Sequence, residues 1–199
     1  NLLETAVGCD AVATPLKVIK KTRISSFDKV GVIGAGGGLG IHMLKMLKLN
    51  NISTIGIDTK TEKFDVCNEN GAEFSISPME NDLNNKIADY TQGNDLDVVI
   101  DFVSSKSSLE LGASILGKGG RLVTLGGSGE QFLANSADML VKELELIGSR
   151  YCTKQELKES LDLYARALVK PLVSHKTDFN GAEELHNKIE TGDITGRAG

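Results

Sequence analysis

Apolar residues follow two patterns along this chain, and the two patterns alternate. Short apolar runs predict strands, whereas segments with apolar residues every three or four positions predict helices. The run from Asp97 to Val103 is almost continuous, as expected for a strand that is buried on both faces. Strands that alternate with helices predict an α/β fold, a doubly wound parallel sheet with crossovers on both faces. The predicted strands lie at 29–33, 53–58, 73–76, 97–103, 121–125, 143–147 and 172–174.

Helix ends are marked by local motifs. Thr59–Glu62 and Thr153–Glu156 both have the spacing of a capping box, so each predicts a helix start. In the N-terminal region we predict a turn near Gly8–Asp10 and then a helix with Pro15 in its first turn, where its missing N–H matters little. The Asn-rich stretch at 81–86 predicts a poorly packed helix or a loop.

Composition narrows the class of protein. A chain of 199 residues can form one sizeable core, and a net charge of -5 with dispersed Lys and Arg argues against a nucleic-acid partner. No apolar run is long enough to span a bilayer and no signal-peptide pattern is present, so we expect no membrane partner. Three widely spaced Cys do not form a disulfide framework, which favours a reducing, cytoplasmic location.

The segment from Lys29 to Asp58 has the order strand, glycine-rich turn, helix, strand and acidic residue. This layout is typical of a unit that binds a dinucleotide, because glycines let the backbone approach a pyrophosphate and a carboxylate accepts hydrogen bonds from a ribose. Counted from Gly34 the turn does not fit G-x-G-x-x-G. Counted from Ala35 it fits A-x-G-x-x-G.

Several motifs together make the chain resemble the cofactor-binding domain of the medium-chain dehydrogenase/reductase superfamily, in its zinc-dependent alcohol dehydrogenase group. The resemblance covers almost the whole chain. Its motifs are Gly8-Cys9-Asp10, Ala35-x-Gly37-x-x-Gly40, Asp58 with Lys63, Val99–Val103, Leu146-Ile147 before Gly148-Ser149, and Gly196-Arg197-Ala198.

The resemblance implies a Rossmann fold and a division of the chain. Residues 1–170 form the NAD-binding domain, with a hinge helix region at 1–23. Residues 171–199 form a C-terminal segment that returns toward a catalytic domain. We expect that catalytic domain to precede this chain, with short segments at both ends belonging to it, and we expect this fragment to be inactive alone.

The predicted cofactor is NAD. A carboxylate at Asp58 accepts hydrogen bonds from the adenosine ribose and repels a 2′-phosphate, although Asp58 could instead only cap the next helix. The resemblance adds Lys63 at the ribose and Arg197 at the pyrophosphate; the alternatives are a solvated lysine and a frayed tail arginine. The remaining predicted cofactor residues are Ala35, Gly36, Gly37, Gly38, Leu39 and Gly40 at the pyrophosphate, Thr59 beside the ribose, and Val103, Ser104, Gly126, Gly127, Gly148 and Ser149 around the nicotinamide.

The resemblance also makes Cys9 a ligand of a catalytic zinc ion whose other ligands lie outside this chain. A thiolate is a good zinc ligand, but a lone Cys is more often a small buried hydrophobe. We assign Cys67 and Cys152 structural roles, and His42 a packing or solvent-facing one. Many relatives have Thr where this chain has Ala13, which leaves that contact with the nicotinamide open. No catalytic residue is identified.

The leading hypothesis is therefore the cofactor-binding part of a zinc-dependent dehydrogenase that oxidises an alcohol, polyol or sugar with NAD. The alternatives are a zinc-free quinone-type reductase of the same superfamily, a methyltransferase that uses S-adenosylmethionine, and a non-catalytic nucleotide-binding module. By resemblance we expect a homodimer or homotetramer that pairs through the sheet edge, acting on a small-molecule alcohol or sugar.

Overall fold

The computed structural model describes all 199 residues and contains one central parallel sheet. Its strands are β1 (Lys29–Ile33), β2 (Ser53–Ile57), β3 (Ser75–Ile76), β4 (Leu96–Asp101), β5 (Leu116–Thr124) and β6 (Glu145–Gly148). They lie in the order β3-β2-β1-β4-β5-β6, and every neighbouring pair is parallel. The chain starts in the middle of the sheet and winds outward in both directions, which confirms the predicted doubly wound fold.

Nine α-helices accompany the sheet. They are α1 (Leu2–Ala11), α2 (Ala13–Thr22), α3 (Gly40–Leu49), α4 (Phe64–Glu69), α5 (Leu83–Thr91), α6 (Lys106–Ser114), α7 (Ser136–Lys142), α8 (Lys154–Ala165) and α9 (Ala182–Glu190). Short 3-10 turns precede α4 and α9, at Thr61–Lys63 and Phe179–Gly181. None of these helices combines the length and apolar composition needed to cross a bilayer.

The hydrophobic core has two layers, one on each face of the sheet. Val98 and Ile100 of β4 pack with α2, α3 and α4, whereas Val99 between them packs with α5 and α6 on the other face. All three side chains are completely buried. Burying each such side chain contributes roughly 1.5–3 kcal/mol, so the continuous apolar run of β4 anchors both layers at once.

The predicted turn at Gly8–Asp10 is wrong, because α1 continues through these residues to Ala11. The break comes one residue later, at Val12. Pro15 explains why the helix breaks at Val12. A proline lacks the N–H that would bond to the carbonyl of Ala11, and its ring would crowd that carbonyl. Gly8 lies within α1, and a Cβ there would lie 3.6 Å from the ring of Pro171, an ordinary van der Waals distance, so the position does not require glycine.

The two predicted capping boxes have different outcomes. The box at Thr153 forms, with its hydroxyl accepting from the N–H of Glu156 and the Glu156 carboxylate accepting from the N–H of Thr153. The box at Thr59 does not. No side chain caps the 3-10 turn at Thr61–Lys63; Asp58 instead accepts from the N–H of Lys60 with its Oδ1 at 3.0 Å, which holds the turn that follows β2.

Two other segments differ from prediction. The Asn-rich stretch belongs to an ordered helix, α5, because Leu83 and Ile87 are buried one turn apart. The strand predicted at 121–125 begins earlier, so that Gly119 and Gly120 lie within β5, whose pairing jumps from Leu96–Leu116 to Val98–Arg121. The extra residues form an irregularity in the strand rather than a turn before it.

The C-terminal segment forms a second, small sheet of β7 (Val173–His175) and β8 (Arg197–Ala198). This small sheet lies against the glycine-rich turn, where the N–H of Gly196 donates to the carbonyl of Gly36 at 3.2 Å. The last thirty residues therefore reach the same sheet edge as the predicted cofactor residues.

Candidate functional site

The glycine-rich turn between β1 and α3 is tightly built. Gly34 has a φ of 75°, which a residue with a side chain rarely adopts. Gly40 opens α3 directly against the preceding strand, so that a Cβ there would overlap the carbonyl oxygen of Gly34 and lie 2.8 Å from the Cα of Ala35. The close approach brings the N-terminus of α3 to the carboxyl edge of the sheet.

This helix N-terminus presents free backbone donors. The N–H groups of Gly38 and Leu39 have no acceptor within the chain, and no side chain caps α3. Free amides at a helix N-terminus bind anions, since they donate hydrogen bonds and carry the positive end of the helix dipole.

Arg197 lies directly over this turn. A Cβ on Gly38 would come within 2.8 Å of the Arg197 Nε, so the guanidinium occupies the space that the missing side chain leaves. One end of the guanidinium donates to Asp10. The Nε is buried without any partner. A buried, unpartnered cationic donor beside free amides fits a phosphate oxygen, and the half-buried, paired side chain is no frayed tail.

Asp58 follows β2 at the same edge. Its Oδ2 accepts from the N–H of Gly36 at 2.8 Å, so it holds the glycine turn as well as the turn at Lys60. The carboxylate is half-buried and each oxygen keeps a lone pair for a further donor. It can therefore hold these two turns and accept from a ribose at once.

Lys63 is buried, so the alternative of a solvated lysine is wrong. Its alkyl chain packs over Gly36, and its Nζ donates to the carbonyl of Ile194 at 2.8 Å. The ammonium thus joins the first helical turn after Asp58 to the C-terminal segment. A contact between Lys63 and a ribose stays a prediction.

Two clefts along the carboxyl edge collect most of the predicted cofactor residues. The first has a volume of 550 Å³ and the second 960 Å³, and Leu39 and Arg197 line both. The first cleft is also lined by Gly37, Gly38, Gly40, Asp58, Thr59, Lys63 and Val103, and the second by Gly126, Gly127, Gly148 and Ser149. The clefts thus meet at the turn beneath Arg197. Ala35, Gly36 and Ser104 line neither cleft.

Ser104 acts from beneath the second cleft. It follows Asp101, a fully buried carboxylate whose Oδ1 accepts from the N–H groups of Val103 and Ser104 at 2.8 and 2.9 Å. The hydroxyl of Ser108 donates to Oδ2 at 2.7 Å. Ser104 in turn accepts from the N–H of Gly126 at 2.8 Å. This chain of hydrogen bonds fixes the loops after β4 and β5 relative to each other.

His42 lies on α3 within the core and is completely buried, which agrees with a packing role. Its Nε2 accepts from the N–H of Leu172 at 2.9 Å, so the proton is on Nδ1, which lies 2.8 Å from the carbonyl of Gly38. Burial lowers the pKa of His42 to about 4, and the ring is therefore neutral near pH 7.

The chain supplies little for a metal ion. Cys9 is exposed on α1, and no group of three His, Cys, Asp or Glu side chains could hold a metal. Cys9 can thus be at most one ligand of a site completed by other residues, and we assign no step to zinc. Burial raises the pKa of Cys67 to about 12, which suits a structural thiol.

Several cleft residues were missed in the sequence. Asp10 pairs with Arg197 across 187 positions, and Pro78 and Met79 line a smaller apolar pocket beside Asp58 and Val103. Lys17 and Tyr151 line the second cleft. Asp10 belonged to a motif already noted, Gly8-Cys9-Asp10, and Pro78 carried a local signal as a turn residue shortly after a predicted strand.

Comparison with known proteins gives a consistent result. The zinc-binding dehydrogenase family matches residues 38–166. An NAD-dependent alcohol dehydrogenase from Sulfurisphaera tokodaii is 27% identical over 190 residues, covering 95% of this chain and 54% of that protein. A D-arabinose 1-dehydrogenase (NADP(+)) from Saccharolobus solfataricus is 25% identical over 200 residues, covering 98% of this chain and 56% of that protein.

The crystal structure of an alcohol dehydrogenase from Aeropyrum pernix has the same fold. It superposes with a TM-score of 0.90 at 26% identity, over 99% of this chain and 57% of that one. The chain therefore spans about half the length of the curated relatives it matches.

Proposed function

This chain belongs to the zinc-binding dehydrogenase family, and we propose that it is the cofactor-binding part of an NAD-dependent dehydrogenase of alcohols, polyols or sugars. The whole protein would oxidise its substrate to an aldehyde or ketone. One observation carries the proposal: Asp58, the free amides of Gly38 and Leu39, and the unpartnered Nε of Arg197 meet at one cleft.

Each group has a stated part in holding the dinucleotide. Asp58 would accept from the adenosine ribose, while the amides and Arg197 would bind the pyrophosphate. The second cleft would hold the nicotinamide near Ser149, whose buried hydroxyl also has no partner. NAD, when bound, accepts the hydride that leaves the alcohol carbon. The residues of this chain bind and orient it.

Coenzyme choice gives the first test, because the relatives named above include both an NAD-dependent and an NADP-dependent enzyme by name. We expect the full-length protein to bind NAD more tightly than NADP in calorimetric titrations. Asp58→Ser combined with Thr59→Arg removes a negative charge and adds a phosphate ligand, so the ratio of the two affinities should shift toward NADP by about 100-fold, or roughly 3 kcal/mol.

Asp65→Ser is the matched control for this test, since Asp65 is exposed on α4 and makes no side-chain hydrogen bond. Tighter binding of NADP than NAD by the unaltered protein would contradict the role of Asp58. An unchanged ratio in the double variant would leave Asp58 as a cap only.

Zinc is the second test. We propose that Cys9 supplies one ligand of a catalytic zinc ion, with the other ligands outside these 199 residues; the exposure of the thiol on α1 and the family membership support this. Cys9→Ala should lower the zinc bound per subunit of the full-length enzyme, measured by atomic absorption. Cys152→Ala should not. Unchanged zinc in the Cys9 variant would remove Cys9 from the site, whereas an unaltered enzyme without zinc would favour the zinc-free reductase alternative.

We further propose that the protein pairs through β6. This strand is the exposed edge of the sheet, and the apolar side chains of Leu140, Val141 and Leu146 are exposed beside it. Unpaired edge strands favour association with a second copy. Replacing Leu140 and Val141 with Asp should raise the monomer fraction in sedimentation experiments; an unchanged mass would rule out this edge.

A further inference from the structure

We propose that His42 is a positioning residue for Arg197, and that it sets the affinity for the pyrophosphate part of the dinucleotide without touching it. The inference rests on the proposed function, because it assigns Arg197 to the pyrophosphate. It concerns how the chain holds that arginine in place.

A closed circuit of contacts links the two residues. The carbonyl of Gly38 lies 2.8 Å from Nδ1 of His42, and Nε2 of His42 accepts from the N–H of Leu172 at 2.9 Å. The carbonyl of Leu172 then accepts from the N–H of Arg197 at 2.9 Å. The side chain of Arg197 returns to lie over Gly38. His42 is thus the member that joins the glycine turn to the strand segment beneath Arg197.

Both nitrogens of His42 are needed for this circuit, one as a donor and one as an acceptor. Only the neutral ring can do this, because a protonated ring has two donors and could not accept from Leu172. Complete burial on α3 keeps the ring neutral, as described above. An apolar side chain could fill the same space, but it would leave the N–H of Leu172 and the carbonyl of Gly38 without this partner.

Two substitutions separate the two ends of the ring. The amide of Asn can replace Nδ1 and the amide of Gln can replace Nε2, so His42→Asn keeps the link to Gly38 and His42→Gln keeps the link to Leu172. Only the Leu172 link reaches the backbone of Arg197. We therefore expect His42→Asn to weaken NAD binding about tenfold, which is the effect of losing one hydrogen bond between Arg197 and a charged phosphate. His42→Gln should keep the affinity for NAD within about twofold of that of the unaltered protein.

The experiment titrates the full-length protein with NAD and with adenosine, which lacks phosphates. His42→Asn should weaken the binding of NAD but not that of adenosine. It should not weaken NAD binding further in a protein that already carries Arg197→Ala. His186→Asn is the control, because His186 is exposed on α9. Circular dichroism checks that each variant folds. If His42→Asn does not, His42→Leu, which fills the same space without either link, carries the same test in the two Arg197 backgrounds.

Three results would overturn this role. The first is that His42→Asn weakens the binding of NAD and of adenosine equally. The second is that His42→Asn weakens NAD binding as much in the Arg197→Ala background as in the unaltered protein. The third is that His42→Gln weakens NAD binding as much as His42→Asn does. Each leaves NAD binding by the unaltered protein intact, and with it the proposed function. Failure of the unaltered protein to bind NAD would instead overturn the proposed function and this role together.

Discussion

Gly40→Ala should destabilise the domain by about 3 kcal/mol or more, because the added methyl group cannot be accommodated without moving backbone. The atoms that it meets are the carbonyl oxygen of Gly34 and the Cα and carbonyl of Ala35. None of these can rotate away as a side chain could. Urea unfolding monitored by circular dichroism measures the loss, and calorimetry should show that NAD binding is lost with it.

Gly148→Ala is the matched control. A Cβ on Gly148 meets nothing within 4 Å and its φ is not positive, so its free energy of unfolding should change by less than about 0.5 kcal/mol. If Gly40→Ala were as stable as this control, the approach of α3 to β1 would be looser than described. The pyrophosphate assignment would then lose its structural basis.

Asp101→Ala should have the second large effect. It leaves the N–H groups of Val103 and Ser104 and the hydroxyl of Ser108 without their acceptor. An unsatisfied buried donor costs about 1–3 kcal/mol, so we expect a loss of roughly 3 kcal/mol or more in the free energy of unfolding. Asp101→Asn should cost less, since its amide oxygen can still accept from both backbone groups.

Asp89→Ala provides the comparison for Asp101. Asp89 is exposed on α5 and its carboxylate makes no hydrogen bond, so its removal should leave the urea midpoint almost unchanged. Equal midpoints for the two Ala variants would mean that solvent reaches the loop after β4 and satisfies these donors. The loops at Val103 and Gly126 would then not be held rigidly.

Local signals predicted most of the fold. The continuous apolar run of β4, the alternation of strands with helices and the capping box at Thr153 depend on neighbours a few residues apart, and the structure confirms all three. The failures have equally local causes. Pro15 moves the helix break to Val12, and the carboxylate of Asp58 holds the turn at Lys60, so the helix starts at Thr61 without a side-chain cap.

The candidate site was predicted only in part, for a different reason. Asp58 and the glycine turn lie in one short segment, so their layout is readable in sequence. The partners of Arg197, Lys63 and His42 lie 187, 131 and 130 positions away. No periodicity or motif specifies such a pairing, because it depends on how the C-terminal segment packs on the sheet.

The pairing of Arg197 with Asp10 also bears on how the site is completed during synthesis. All six strands of the main sheet lie before Ser149, so they are synthesised before the C-terminal segment. The arginine above the glycine turn is added after the whole sheet. A ligand that binds only the completed site stabilises that state by mass action, so the dinucleotide would act as a late folding partner of the newly made chain.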